Sequence, residues 1–507
     1  MRDAALPRAG AKTEHFDVVI VGAGISGIGA AYHLTKQCPE RSFVVLEALE
    51  SFGGTWLMHK YPGIRSDSDL YTFGYRFKPW VGPPIATADE IRTYMNEVID
   101  DNDLARHIRY KHKITHARWS SEQNLWTLEG VRNTNEPVRF TANFLWMCQG
   151  YYRHSEGYTP EWPGMARFKG RIVHPQTWPE DLDYAGKKVI VIGSGATTAT
   201  VVPAIAPKCE HVTVVQRSPT YFIPARNEND LANVLRELKI DETWIHEIVR
   251  RKALHDQALF TQRAFTEPEI VKQELLAGVA MFVGEDETKK NFTPTYRPWR
   301  QRIAFVPDGD LFQGIKAGKA SVVTDEIETF TEKGLRLKSG REIDADIIVT
   351  ATGFNLSVLG DIDFKIDDKP LDFASTVTYR GMMFTGVPNM VWVFGYFRAS
   401  WTLRVDLLGD FVCRLLNHMK ARDARRVEVK LRYEDRDMQL LPWIDPENFN
   451  PGYLMRAMHL LPKRGDKPEW QHTQDYWTEK DQLPTINLDG PEFHYRKATI
   501  RDRETAA

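Results

Sequence analysis

Short apolar runs recur along this chain and stop at glycine. Val18–Val21 runs into Gly22-Ala23-Gly24-Ile25-Ser26-Gly27, and Val189–Ile192 runs into Gly193-Ser194-Gly195-Ala196-Thr197-Thr198. A helical pattern follows each loop. A strand, a tight glycine turn and a helix bring backbone N–H groups and a helix N-terminus to a place where a pyrophosphate can sit. Two such units in one polypeptide predict two bound nucleotides with electrons passing between them. Gly22, Gly24, Ser26 and Gly27 are expected to contact one nucleotide. Gly193, Ser194, Gly195, Ala196 and Thr197 are expected to contact the other.

The next strand of each unit suggests which nucleotide it takes. Ser42–Leu46 ends in Glu47, twenty residues beyond Gly27. A carboxylate there accepts hydrogen bonds from a ribose diol and repels a 2′-phosphate, which fits FAD or NAD and disfavours NADP. His211–Val215 ends in Gln216-Arg217. The acid has become a neutral amide, followed by a guanidinium suited to gripping a phosphate. Such charge-assisted bonds are worth roughly 1.5–3 kcal/mol, about a tenfold to hundredfold preference for NADPH over NADH.

Two further runs end at glycine, Phe144–Cys148 before Gln149-Gly150 and Asp346–Val349 before Thr350-Ala351-Thr352-Gly353. The second lies far downstream of the second loop, as if the chain returns to its first unit. The pattern predicts an α/β protein with two Rossmann-like domains. A FAD domain over 1–160 and 340–507 is split by an NADP domain over 161–339. A helical excursion fills about 227–290, with Leu231, Val234, Leu235, Trp244, Ile245 and Ile248 at helical spacing. Thr87-x-x-Glu90 forms a capping box for a helix through Ile99, Asp406–Met419 reads as a core helix, and the polar stretch beyond Gly465 reads as irregular.

Composition narrows the classes. At 507 residues, 42% hydrophobic and 26% charged, the chain can bury two or three cores. With 66 basic against 68 acidic residues, nothing suggests nucleic acid or an anionic membrane. No apolar stretch reaches spanning length, and the first fifteen residues read as a polar tail rather than a signal peptide. Cys38, Cys148, Cys209 and Cys413 are scattered without a Cys-x-x-Cys, so no redox dithiol or metal site is expected and a reducing cytoplasm is the default compartment.

Between the two nucleotide units lies Phe168-Lys169-Gly170-Arg171-Ile172-Val173-His174-Pro175-Gln176-Thr177-Trp178-Pro179. It resembles the F-x-G-x-x-x-H-x-x-x-W-P pattern of Baeyer–Villiger monooxygenases, and the resemblance covers most of the chain. Gly53-Gly54-Thr55-Trp56 is similar to that family's flavin-contacting segment, and Tyr61-Pro62-Gly63-Ile64-Arg65-Ser66-Asp67 to its Y-P-G-x-R-x-D stretch. Trp299-Arg300-Gln301-Arg302 falls where the family places its active-site arginine. Ile64–Asp69, Val306–Phe312 and Ala399–Thr402 resemble most the subgroup containing the ethionamide-activating mycobacterial monooxygenase. There are departures: Thr198 replaces a Gly or Ala, Gln301 replaces a lysine, and the stretch after Asp67 is shorter than in cyclohexanone-type members.

The resemblance implies bound FAD and NADP(H), with O2 and a small ketone or sulfide as substrates. NADPH reduces the flavin, and oxygen activated there attacks a ketone to give an ester or lactone. That oxygen must stay deprotonated, which calls for a fixed cation. The family pattern assigns this role to Arg302, oriented by Asp67, and adds Gly54, Thr55, Trp56, Arg65, Tyr71 and Ile114 as cofactor contacts. By residue type alone Asp67 is a turn carboxylate and Arg302 a surface charge. His174 and Trp178 are expected to organise the linker between domains. The alternative is an N- or S-oxygenating flavin monooxygenase with the same cofactors. A flavin-fold binding protein without catalysis is disfavoured by the intact leading glycines, Glu47 and Arg217.

Overall fold

The computed structural model describes residues 13–497, so the polar leader lies almost wholly outside the described residues. Two sheets organise the chain. In the first, Thr13–Val21 is flanked by Phe43–Leu46 and Glu136–Met147, both parallel to it. The second is wholly parallel, in the order Ala320–Thr324, His211–Gln216, Lys188–Ile192, Ile347–Thr350 and Arg171–Val173. Parallel strands covered on both faces need continuous apolar runs, and Val189 to Ile192 and Ile347 to Thr350 are all buried.

The two units repeat one plan. In each, an antiparallel excursion leads into a strand lying beside the loop-bearing strand: His112–Ser120, Leu125–Arg132 and Glu136–Met147 in the first, and Ile327–Phe330, Gly334–Leu337 and Glu342–Asp344 before Ile347–Thr350 in the second. This corrects the expected domain boundary at 340. Residues 342–350 complete the second unit, because the excursion's returning strand pairs with Lys188–Ile192. The chain leaves that unit only after Thr350. Its two crossings between units pair with each other, Tyr152–Gly157 against Phe354–Leu356.

The helical excursion comprises Asp230–Glu237, Glu242–Thr266, Pro268–Val283 and Glu285–Asn291. Ile245 is buried, whereas Val234, Trp244 and Ile248 face outward. The excursion docks on the first unit through buried Arg250, whose Nη1 donates to the carbonyls of Tyr71, Thr72 and Gly74. Ala88–Asp101 begins with the Thr87/Glu90 capping box, and Trp401–Ala421 is a largely buried helix.

Residues 466–497 form regular elements, contrary to the reading from composition. Tyr476–Gln482 is a helix that carries Glu479 beneath the fully buried Arg404, at 2.9 Å from Nε. Phe493–Lys497 pairs with Ala424–Val429. Both partners are distant in sequence, so local composition carried no sign of them. Among the described residues, no helix is long and apolar enough to cross a membrane.

Candidate active site and cofactor cradle

Both glycine loops open into one cavity of about 1310 Å3 between the units. At each loop the first glycine takes a backbone conformation that side-chain-bearing residues avoid, φ +101° at Gly22 and +131° at Gly193. It also packs on the end of the neighbouring strand. A Cβ on Gly22 would stand 2.6 Å from the Cys148 carbonyl oxygen, and one on Gly193 would stand 2.3 Å from that of Ala351. The strand-glycine endings at Cys148 and Ala351 are therefore equivalent places in the two units.

Gly24 and Gly195 are the N-caps of helices Ile25–Gln37 and Ala196–Ile205, and neither helix has a side-chain cap. Their first N–H groups are left for a ligand. A Cβ on Gly195 would meet nothing within 4 Å, so the second loop presents an open backbone cradle. This fits a pyrophosphate. Gly27 plays a different part. Its Cβ would lie 1.8 Å from the Gly22 carbonyl oxygen, so it lets the helix close on its own loop and does not line the cavity.

Glu47 lies buried on the cavity wall, accepting from the backbone N–H of Ala23 at 2.6 Å and of Leu49 at 2.8 Å. Burial pushes its carboxyl up, and those backbone donors pull it back. A carboxylate has about four lone-pair sites, which leaves room for a ribose diol. In the second unit Gln216 turns inward, donating to Asn291 O and Thr324 Oγ1. Arg217 is exposed at the cavity edge and has no ion pair among the described residues. Thr198 Oγ1 is buried without a hydrogen-bond partner.

Gly54, Thr55, Trp56, Ile114, Ala196 and Thr197 all line the cavity. Ser26 Oγ accepts from Trp401 Nε1 at 2.8 Å, and Ser194 Oγ donates to Ser218 O at 2.7 Å. Arg65 reaches the cavity but its guanidinium clasps Asp310 at 2.5 and 3.1 Å and donates to Ala199 O, tying the first unit to the second. Tyr71 is not among the cavity residues. It is fully buried, with its hydroxyl directed at Gly82 O and Arg236. His174 joins the crossings between units: its Nε2 lies 3.0 Å from Gly353 O, and Gln176 N donates to its Nδ1.

Asp67 and Arg302 meet inside the cavity. Arg302 donates from Nε to Asp67 Oδ2 at 2.6 Å and from Nη2 to Asp67 Oδ1 at 2.8 Å. Nη2 also reaches Ser68 Oγ, and Nη1 donates to Phe397 O at 2.9 Å. Both side chains keep about a third of their surface open, 36% and 33%. Burial opposes the Arg302 charge, but the Asp67 carboxylate more than offsets this and holds the guanidinium above its ordinary value. The segment before Arg302 is strained: Trp299 has φ +62°, uncommon for a bulky residue. Arg398 secures the Trp299 carbonyl, Arg297 binds Asn448, and the Arg300 carbonyl accepts from Asn450 N.

Three aromatic residues absent from the sequence expectations complete the wall: Tyr151, Tyr152 and Tyr453. The one signal for the first two was their position directly after Gly150.

Comparison with known proteins gives this geometry a family. The chain is 44% identical over 488 residues to the FAD-containing monooxygenase EthA of Mycolicibacterium smegmatis, covering 96% of this chain and 98% of that protein. It is 41% identical to the probable FAD-binding monooxygenase AlmA of Acinetobacter baylyi, covering 96% and 97%. The chain belongs to the flavin-binding monooxygenase family. The flavin-binding monooxygenase-like profile itself matches residues 81–237, and an NAD(P)-binding Rossmann-like profile matches 20–81. Among solved structures, an oxidized steroid monooxygenase bound to NADP superposes with TM-score 0.74 at 22% identity. A closed cyclohexanone monooxygenase does so with TM-score 0.75 at 20% identity. Each covers 96% of this chain and 100% of its own, and at such identity they show the fold. The family resemblance read from the sequence motifs is borne out.

Proposed function

We propose that this monooxygenase uses FAD and NADPH to insert one atom of O2 beside a ketone carbonyl, giving an ester or lactone, with sulfides as further substrates. The observation that carries this reading is the Arg302–Asp67 pair inside the cavity shared by both nucleotide loops.

Gly22, Gly24 and the N-terminus of Ile25–Gln37 would hold the FAD pyrophosphate, and Glu47 its ribose. Gly193, Gly195 and the N-terminus of Ala196–Ile205 would hold NADPH, with Arg217 on its 2′-phosphate. Bound FAD, reduced by NADPH, supplies the activated oxygen. The protein's part is electrostatic. A guanidinium has five N–H donors, and the four hydrogen bonds of Arg302 leave one N–H of Nη1 for an anion in the cavity. Because guanidinium does not give up its proton, it stabilises an oxyanion without neutralising it. Asp67 fixes the direction of that donor.

The reading is tested by ketone-stimulated NADPH consumption with product analysis in the FAD-loaded protein. Ester formation that disappears in Arg302→Ala supports it. Turnover confined to sulfides, with no ester from any ketone offered, would move the protein to the heteroatom-oxygenating class.

A further inference from the structure

The Cys148–Gly150 turn delivers two successive tyrosines to the same wall. Neighbours on an extended chain point to opposite sides, yet the Tyr151 and Tyr152 rings lie 3.9 Å apart with their hydroxyl oxygens at 2.5 Å. Gly150, at φ +78°, turns the chain just before the pair. The Tyr453 ring stands 6.3 Å from Tyr151 and 6.0 Å from Tyr152. The cluster is braced: Tyr151 stacks at 5.0 Å on Trp401, whose indole is pinned to Ser26, and Tyr152 packs on Phe354 at 4.4 Å.

Three hydroxyls carry three O–H groups, and an open chain of three can use at most two internally. One donor is left over, and none of the three has another protein acceptor within hydrogen-bond distance among the described residues. Their neighbour Arg302 is donor-only, so it cannot accept the spare hydrogen. Burial raises all three phenols, opposed by the Arg302 charge. They therefore stay protonated and serve as donors rather than bases.

We propose that Tyr151, Tyr152 and Tyr453 form a substrate-binding wall whose spare O–H selects ligands with a carbonyl oxygen. The proposal rests on the ketone reading above and adds a recognition element to it. A buried donor built to meet an acceptor disfavours ligands that lack one, because the donor is then left unpaired. The wall thus separates ketones from hydrocarbons of the same shape.

The experiment measures binding to the FAD-loaded full chain without NADPH, by quenching of intrinsic fluorescence, so no turnover is involved. The probes are acetophenone and α-methylstyrene, in which a methylene replaces the carbonyl oxygen. The wild type is expected to bind acetophenone at least about tenfold more tightly. Tyr151→Phe/Tyr152→Phe should reduce this to within about twofold while retaining FAD, and Tyr453→Phe alone should weaken it. Equal binding of the two probes by the wild type overturns the proposal whatever the variants do. So does unchanged discrimination in the FAD-retaining double variant or, should that variant not fold, in Tyr453→Phe. If discrimination is present but no ketone is ever oxidised, the wall stands and the ketone reading of the reaction fails.

Discussion

Asp67 receives two hydrogen bonds from Arg302, at 2.6 and 2.8 Å, although the residues are 235 positions apart. The pair joins the loop after the first nucleotide unit's flavin segment to a segment of the second unit. It can exist only when both units are docked, so the fixed charge is assembled by the fold itself.

Arg302→Ala should lower ester formation by at least about a hundredfold, the scale of losing a preorganised oxyanion donor, with FAD content unchanged. Arg302→Lys keeps the charge but loses the two-pronged grip on Asp67, and should recover only part of the rate. Product chromatography on purified variants decides this. Full ester yield from Arg302→Ala would remove the residue from the chemistry.

Two glycine-to-alanine changes should behave differently. In Gly27→Ala the new methyl meets the Gly22 carbonyl oxygen at 1.8 Å, so the first loop cannot close on its helix. Low thermal stability and poor FAD retention are expected. Gly195→Ala has free space around its Cβ and an extended backbone. It should fold with its FAD and show a higher KM for NADPH, because the methyl enters the cradle. Melting curves and cofactor titrations separate the two; a normally stable, FAD-replete Gly27→Ala would refute the steric account.

Arg217→Ala should erase about a tenfold to hundredfold preference for NADPH over NADH. The exposed guanidinium has no protein ion pair to lose among the described residues, so folding should not change. The ratio of kcat/KM for the two coenzymes is the readout. A ratio that does not move would place the 2′-phosphate elsewhere.

Much of this was legible in the chain because it is local. The strand-loop-helix units, Glu47 and the capping box at Thr87 each depend on residues close in sequence. The domain boundary was misplaced because the glycine ending after Asp346–Val349 reads as the chain's return to its first unit; only pairing with Lys188–Ile192 shows that this strand finishes the second sheet. Tyr71 resembles a flavin contact by motif, yet Arg236 and the excursion helices bury it. Tyr151, Tyr152 and Tyr453 escaped notice because their wall joins segments about three hundred residues apart in the chain.

Two buried histidines predict the acid limit of stability. Burial first, then neighbouring cationic or protonatable groups, lowers His59 and His246 to about 4. Both lie below the ordinary value of 6.5, so neither contributes above it. As pH falls from 6.5 towards 4 the unfolded chain takes up protons that the folded protein refuses, and stability is lost, on the order of 3 kcal/mol for each histidine. The urea midpoint should fall across this window, and His246→Gln should reduce the fall. A midpoint equally steep in that variant would mean that His246 is not the group titrating.

The central claim is most directly tested with labelled oxygen. The FAD-loaded protein is given NADPH, 18O2 and a simple ketone, and the product is analysed by mass spectrometry. The account predicts an ester carrying one 18O atom, dependent on NADPH and absent in Arg302→Ala. Recovery of unlabelled ketone alone, with NADPH consumed and label appearing only in a sulfoxide when a sulfide is supplied, would contradict it.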